Sequence, residues 1–116
     1  MINRIAEGYA IMLRKTGQHP AAIVFASYNW YNKKGRSGPP PTPLVKKLEL
    51  KLLSIGPLGA RISGNKIGYC AEVHASNKLL SDAPGISLNR IEFGEAIRPR
   101  TMQKIAMCAN CNKTFS

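Results

Sequence analysis

The stretch "GYCAEVHASNKLL", residues 68–80, decides how the rest of the chain is interpreted, because it places three reactive side chains at the start of a predicted helix. These side chains are Cys70, Glu72 and His74, and the apolar residues around them recur at helical spacing as far as about Ser81. The remaining two cysteines follow in "AMCANCNKTF", residues 106–115. What chemistry the protein can carry therefore depends on how these two stretches meet.

The N-terminal half predicts a helix, a hairpin and a second helix. Residues 2–15 carry a helical apolar stripe, and residues 21–36 predict a β-hairpin because an apolar run is followed by an aromatic and basic one. The segment "SGPPPTP", residues 37–43, predicts a rigid extended connector. Thr42 is the predicted N-cap of the second helix, and Pro43 is its predicted first residue.

The C-terminal half predicts a loop, the reactive helix, one strand and a last short helix. Residues 56–68 contain four glycines after Ile55 and predict a loop, which could form a wall of a substrate entrance through Arg61 and Lys66. Residues 86–97 are rich in β-branched residues and predict a strand. After a turn, the Cys-x-x-Cys pair opens the last helix. The order of these elements predicts an α/β protein.

Composition predicts one domain over residues 1–116, since 44% hydrophobic and 20% charged residues suit a single core. The longest apolar runs are far shorter than the roughly 18 residues of a membrane span, so we expect none. The N-terminus does not have the pattern of a secretion signal. Seventeen Lys and Arg against six Asp and Glu give a formal charge of +11. Such a charge favours a polyanionic partner, which we expect to be nucleic acid, although an acidic protein would be attracted as well.

Three cysteines and a histidine predict a zinc site, because both sulfurs of a Cys-x-x-Cys pair can bind one ion and a distant cysteine can complete the set. Helical periodicity offers His74 as a fourth ligand, since it would share a helix face with Cys70. That arrangement is a closed, structural Cys₃His site. If Cys70 instead lies at the very start of the helix, Glu72 can face the metal and the fourth position stays open for water. The residues alone leave both arrangements open and favour the closed one slightly.

The pattern of these residues also resembles a known protein family, and this resemblance favours the open site with Glu72 over the closed Cys₃His site. Cys-Ala-Glu before a helix, then a strand, then Cys-x-x-Cys at another helix start resembles the cytidine deaminase superfamily. More narrowly, "GYCAEVHASNKLL" and "AIRPRTMQKIAMCANCNKTF", preceded by "GRSGPP", are similar to the YwqJ-like deaminase domains of bacterial polymorphic toxins. The resemblance covers roughly residues 20–116. The chain differs from the superfamily pattern at Met107, where that pattern has proline.

The resemblance implies a cytidine-deaminase-like mixed β-sheet with helices packed on it and a zinc site at the N-termini of two adjacent helices. It implies that Cys70, Cys108 and Cys111 hold zinc and that Glu72 is the proton shuttle. Zinc lowers the pKa of its bound water to about 7. Glu72 then takes the proton of this water, which attacks C4 of cytosine, and uracil forms with loss of ammonia.

The remaining expectations concern the substrate and partners. By the same resemblance Ala71 contacts the base, and we expect Tyr69 and Trp30 to contact substrate as well, Trp30 by stacking. The substrate is cytosine in DNA or RNA. Domains of this kind are secreted or delivered as part of a larger toxin, act in the cytoplasm of a target cell and are held in check by an immunity protein; we expect a monomer. The alternative function is a non-catalytic nucleic-acid-binding module with a structural Cys₃His zinc site.

Overall fold

The protein has four α-helices and seven β-strands in the part of the chain that its structure, a computed structural model, describes. The structure describes residues 2–18, 20–29, 31–62 and 64–116, and it describes side chains from residue 6 onward. The helices are α1 (Ile2–Lys15), α2 (Lys46–Leu53), α3 (Ala71–Asp82) and α4 (Ala109–Phe115). The strands are β1 (Ile23–Tyr28), β2 (Tyr31–Arg36), β3 (Arg61–Ile62), β4 (Asn65–Lys66), β5 (Glu92–Phe93), β6 (Ala96–Arg98) and β7 (Gln103–Ile105). No helix of this described part is both long and apolar enough to cross a membrane.

The main sheet is built around β1, in the order β2-β1-β6-β7, with β5 also paired to β1. The predicted hairpin is present, with β2 antiparallel to β1 along its whole length. All pairings among the described strands are antiparallel, so the expectation of a mixed sheet is wrong for this part of the chain. The reason is the path of the chain. Strands β2 and β6 run in the same direction, since both are antiparallel to β1, but they lie on opposite sides of β1 and therefore do not pair with each other.

Alternate side chains of β1 point into two apolar layers, as the period of a strand requires. Ile23 and Phe25 pack with the buried face of α1, whose members are Ala6, Ala10 and Leu13. Val24 and Ala26 pack into the larger cluster on the other face, which includes buried residues of α2, α3 and α4. The sheet is therefore covered by helices on both faces, which confirms the α/β class.

Helix α3 lies unusually close to β2, and Gly35 permits this approach. A Cβ atom at position 35 would lie 2.8 Å from Ala75 Cα and closer still to the Ala75 nitrogen and the Ala71 carbonyl oxygen. Since Ala71 and Ala75 are a single turn apart, this contact fixes the first turn of α3 against the sheet. The position of Cys70 and Glu72 depends on the same turn.

The second helix begins later than the sequence predicts. Its N-cap is Val45 and its first residue is Lys46, so Thr42 is not the cap and Pro43 is not in the helix. The cause is Asn77 of α3, whose side-chain oxygen accepts a hydrogen bond from the Val45 amide at 2.8 Å. The Asn77 amide group also donates to the Pro43 carbonyl at 3.0 Å. These contacts keep the connector extended up to Val45.

Three other predictions need correction. The loop 56–68 contains the short β3–β4 hairpin, and the predicted turn after Pro99 contains β7. The strand predicted over 86–97 is instead a 3₁₀ turn followed by β5 and β6, and one extra residue interrupts the pairing with β1 between these two strands. Ala26 lies opposite Phe93, and Ile23 lies opposite Ile97. Between these two pairs the chain advances by three residues on β1 but by four residues on the partner strands. Such a mismatch is a β-bulge.

Candidate functional site

The three cysteines meet in one cluster. Their sulfur atoms all lie within 4.8 Å of one another, and none is in a disulfide. Cys70 Sγ and Cys108 Sγ are 3.3 Å apart. Three sulfurs bound to one tetrahedral zinc at about 2.3 Å would be separated by about 3.8 Å. The separation of 3.3 Å for one pair and the limit of 4.8 Å for all pairs are close to this value, so the cluster could hold a metal ion such as zinc.

Two helix starts bring the cluster together. Cys70 is the N-cap of α3, with φ −68° and ψ 148°, and its carbonyl accepts the amide of Val73. Cys108 is the N-cap of α4, with φ −71° and ψ 162°. Cys111 lies in the first turn of α4 and is buried. Because both N-caps have extended backbone, their side chains leave the helices at the ends instead of along a helical face.

Hydrogen bonds among the three thiols shift their pKa values in opposite directions. The pKa of the Cys108 thiol is far below its usual value, mainly because the thiols of Cys111 and Cys70 donate hydrogen bonds to its sulfur. The same hydrogen bonds to Cys108 raise the pKa of Cys70 and of Cys111. A cation with affinity for sulfur would displace the thiol protons of the cluster, since the thiolate is the form that binds metal.

Glu72 lies beside this cluster, in the first turn of α3. Its side chain is only 6% exposed, and it lines the same cavity as Cys70 and Cys108. Burial raises the pKa of its carboxyl group, and the hydrogen bond to its own backbone amide opposes this shift. The carboxyl group is thus enclosed beside the sulfurs, where it can exchange a proton with a molecule in the cavity.

His74 does not join the sulfur cluster, which contains no histidine among the described residues. Its Nε2 atom lies 3.0 Å from the carbonyl oxygen of Gly38. A carbonyl oxygen can only accept, so Nε2 donates and carries the hydrogen. Helical periodicity fails to bring His74 and Cys70 together because Cys70 precedes the helix in extended backbone.

A cavity of about 420 Å³ opens over the cluster. Of the predicted substrate contacts, Tyr69 and Ala71 line it, whereas Trp30 falls outside the described residues. The β3–β4 hairpin forms one wall, through Arg61, Asn65 and Lys66. The volume is within the roughly 300–1,000 Å³ that is usual for small-molecule sites.

The charged side chains in the described lining of this cavity are basic apart from Glu72. Arg61, Lys66 and Arg98 contribute three cations to it, and Glu72 is its one acidic side chain. The Lys66 ammonium also lies 5.1 Å from the centre of the Tyr69 ring. Because three of these four charged side chains are cations, the cavity favours a ligand with an anionic group.

Sequence reasoning missed two residues that shape the site. Asn110, between the paired cysteines, is 3% exposed and donates hydrogen bonds to main-chain oxygens of the β3–β4 hairpin. Ser37 is joined to Ala22 twice, since its amide donates to the Ala22 carbonyl and its hydroxyl accepts from the Ala22 amide. The only sequence signal for Asn110 is its place inside the Cys-x-x-Cys pair, and Ser37 has none beyond its proline-rich surroundings.

The site thus combines three clustered thiols, a buried carboxyl group and a basic cavity large enough for a small molecule. Comparison with known proteins finds no protein-family model, no curated protein and no solved structure that matches the chain. Its function must therefore be argued from these residues and from the motif that they form.

Proposed function

We propose that the protein is a zinc-dependent deaminase toxin domain that converts cytosine in nucleic acid to uracil. The observation that carries this proposal is the sulfur cluster beside a buried Glu72 on one cavity. Three protein ligands leave one position of a tetrahedral ion open, which is typical of catalytic zinc, whereas structural sites have four. The resemblance of Cys-Ala-Glu and Cys-x-x-Cys to deaminase motifs supports the same function.

In this mechanism Cys70, Cys108 and Cys111 hold the ion. When bound, zinc supplies a Lewis acid that makes water a nucleophile near neutral pH. The Glu72 carboxylate accepts a proton from the attacking water and delivers it to N3 of the cytosine ring. As the bond from oxygen to C4 forms and the bond from C4 to the amino nitrogen breaks, Glu72 transfers the second water proton to the leaving amine. Cytosine and water thus give uracil and ammonia, with no change of oxidation state.

The charge of the protein supports a nucleic acid substrate over a free base. Arg61, Lys66 and Arg98 line the cavity, and the formal net charge is +11. Each phosphate that a protein neutralises releases counterions, so such a surface gains affinity for a polymer of phosphates. Tyr69, also on the cavity, offers an aromatic ring to a base.

The resemblance to polymorphic-toxin domains also supports a role outside the producing cell. In this proposal the domain is delivered as part of a larger toxin and deaminates nucleic acid in the cytoplasm of the target cell. A producing cell must then protect its own cytosines. An acidic immunity protein would suit the charge of +11.

The direct test is uracil formation by zinc-loaded protein from matched DNA, RNA and free cytidine. Glu72→Gln should keep one zinc per chain and lose activity by about 10²- to 10⁴-fold, because an amide cannot accept the proton of the attacking water. Glu92→Gln is the matched control, since Glu92 is exposed on β5, and it should behave as wild type. If zinc-loaded wild type forms no uracil from any substrate, or if Glu72→Gln remains active, the proposal is wrong.

The alternative of a closed Cys₃His site is tested by His74→Ala. We expect this variant to retain its zinc, because His74 Nε2 is bonded to the Gly38 carbonyl and not to the cluster. Metal analysis after gel filtration measures this directly. Loss of zinc from His74→Ala would support the structural site and contradict the enzyme.

A further inference from the structure

Asn110 connects the metal centre to the β3–β4 hairpin. Its Nδ2 atom donates to the Ile62 carbonyl at 2.7 Å and to the Asn65 carbonyl at 3.2 Å. Both partners are oxygens that can only accept, so the amino end of the side chain must face the hairpin. Asn110 therefore bridges the two carbonyls on either side of the hairpin turn, while Cys108 and Cys111 flank it in sequence.

The hairpin depends on this support because its own pairing is short. Its strands have two residues each, with Arg61 opposite Lys66 and Ile62 opposite Asn65. A two-stranded hairpin is at best marginally stable in water. Its base is held by two hydrogen bonds, from the Gly59 amide to the Ile67 carbonyl and from the Ile67 amide to the Ala60 carbonyl. Nearer the turn, the Asn110 side chain joins the hairpin to α4.

The hairpin carries two of the three cations of the cavity. Arg61 and Lys66 both line the cavity beside the sulfurs and Glu72. The Arg61 guanidinium donates to the Gly64 carbonyl at 3.0 Å, which holds it over the turn, and Lys66 lies over the Tyr69 ring. Because both side chains are otherwise exposed, their charges remain available to a ligand. A base that reaches the metal centre would bring its attached phosphates towards this wall.

We propose that the β3–β4 hairpin is a phosphate-binding arm for the nucleic acid backbone and that Asn110 is the positioning residue that holds it over the metal centre. The choice of nucleic acid rests on the proposed function. The arm favours cytosine within a strand over free cytidine, since only the strand offers it phosphates. A metal ion held by Cys108 and Cys111 would fix Asn110 between them and so order the arm.

The experiment compares Asn110→Asp with Asn112→Asp, which adds the same charge on an exposed residue of the same helix. A carboxylate at 110 would face two carbonyl oxygens and release the hairpin. In zinc-loaded protein, Asn110→Asp should weaken binding of a fluorescent single-stranded oligonucleotide by about tenfold and lower its salt slope by about 1. It should also speed hydrogen exchange at 60–67. Asn112→Asp should change neither property, and both variants should keep one zinc.

A double variant, Arg61→Gln with Lys66→Gln, removes the charges without touching Asn110 and should weaken oligonucleotide binding equally. If Asn110→Asp binds and exchanges like Asn112→Asp, the proposal is overturned. Should Asn110→Asp lose zinc or fail to fold, the double variant decides, and unchanged binding by it overturns the proposal. Cytidine 5′-monophosphate and inorganic phosphate are added as competitors of the oligonucleotide, to separate recognition of the nucleic acid backbone from simple anion binding. If inorganic phosphate displaces the oligonucleotide as well as cytidine 5′-monophosphate does at equal concentration, the proposal is also overturned. These measurements need no turnover, so they stand even if no deamination is found.

Discussion

Replacing Gly35 by alanine tests how the fold positions the site. A Cβ at this position would lie 2.8 Å from Ala75 Cα, whereas ordinary contact begins at 3.4 Å. Helix α3 must therefore move away from β2 by at least about 0.6 Å. The atoms in its way belong to the backbone, which cannot rotate aside. Overpacking of this kind costs about 1–3 kcal/mol, and we expect the upper end of that range.

The same displacement would disturb the cluster of three cysteines. Cys70 precedes α3 directly, whereas Cys108 and Cys111 belong to α4, so the movement of α3 changes the separations of the sulfurs. Distances between metal and ligand tolerate only about 0.2 Å of change. Gly35→Ala should therefore lose zinc to a competing chelator at lower concentration than wild type does. It should also unfold about 10 °C earlier, taking roughly 4 °C for each kcal/mol.

The assay is thermal unfolding followed by circular dichroism, together with zinc release to a coloured chelator. Gly8→Ala is the matched control, because a Cβ at Gly8 of α1 would meet nothing within 4 Å. Alanine in an open helical position should stabilise the protein by up to about 1 kcal/mol. If Gly35→Ala unfolds with wild-type midpoint and keeps its zinc equally well, the close approach of α3 to β2 does not determine the site.

Two other predictions follow from contacts that join distant segments. Asn77→Ala should destabilise the protein by about 1–3 kcal/mol, because two partly buried hydrogen bonds, to the Val45 amide and the Pro43 carbonyl, are lost together; an unchanged urea midpoint would contradict this. Removing zinc with a chelator should increase hydrogen exchange in α4 and in the β3–β4 hairpin much more than in α1. A uniform increase over all three elements would show that the metal does not hold α4 and the hairpin specifically.

Local signals predicted most of the elements that carry the site. The periodicity of residues 2–15 was sufficient to place α1, the helical spacing after Cys70 was sufficient to predict α3, and the hairpin over residues 21–36 has its predicted strands. In each case the information lies within a few neighbouring residues.

Distant contacts decided the elements that were predicted wrongly. The start of α2 depends on Asn77, which is 32 residues beyond Val45 in sequence. The break between β5 and β6 accompanies a hydrogen bond from the Gly94 amide to the Phe25 carbonyl at 3.0 Å, between strands far apart in the chain. No window of local sequence contains both partners of such a contact. The roles of Asn110 and His74 have the same origin, since each bonds to a main-chain carbonyl that any residue could supply.

A metal ion bound at the cysteine cluster would also stabilise the fold. Helix α4 has seven residues, too few to be stable alone in water. It is anchored at its end by Phe115, whose ring lies 4.8 Å from that of Phe93, and at its start by Asn110 on the β3–β4 hairpin. A metal ion shared by Cys70, Cys108 and Cys111 would tie the start of α4 directly to the start of α3. The three cysteines would thus also join the last helix to the rest of the protein. Because the metal site forms only when the protein folds, the free energy of metal binding would add to the free energy of folding.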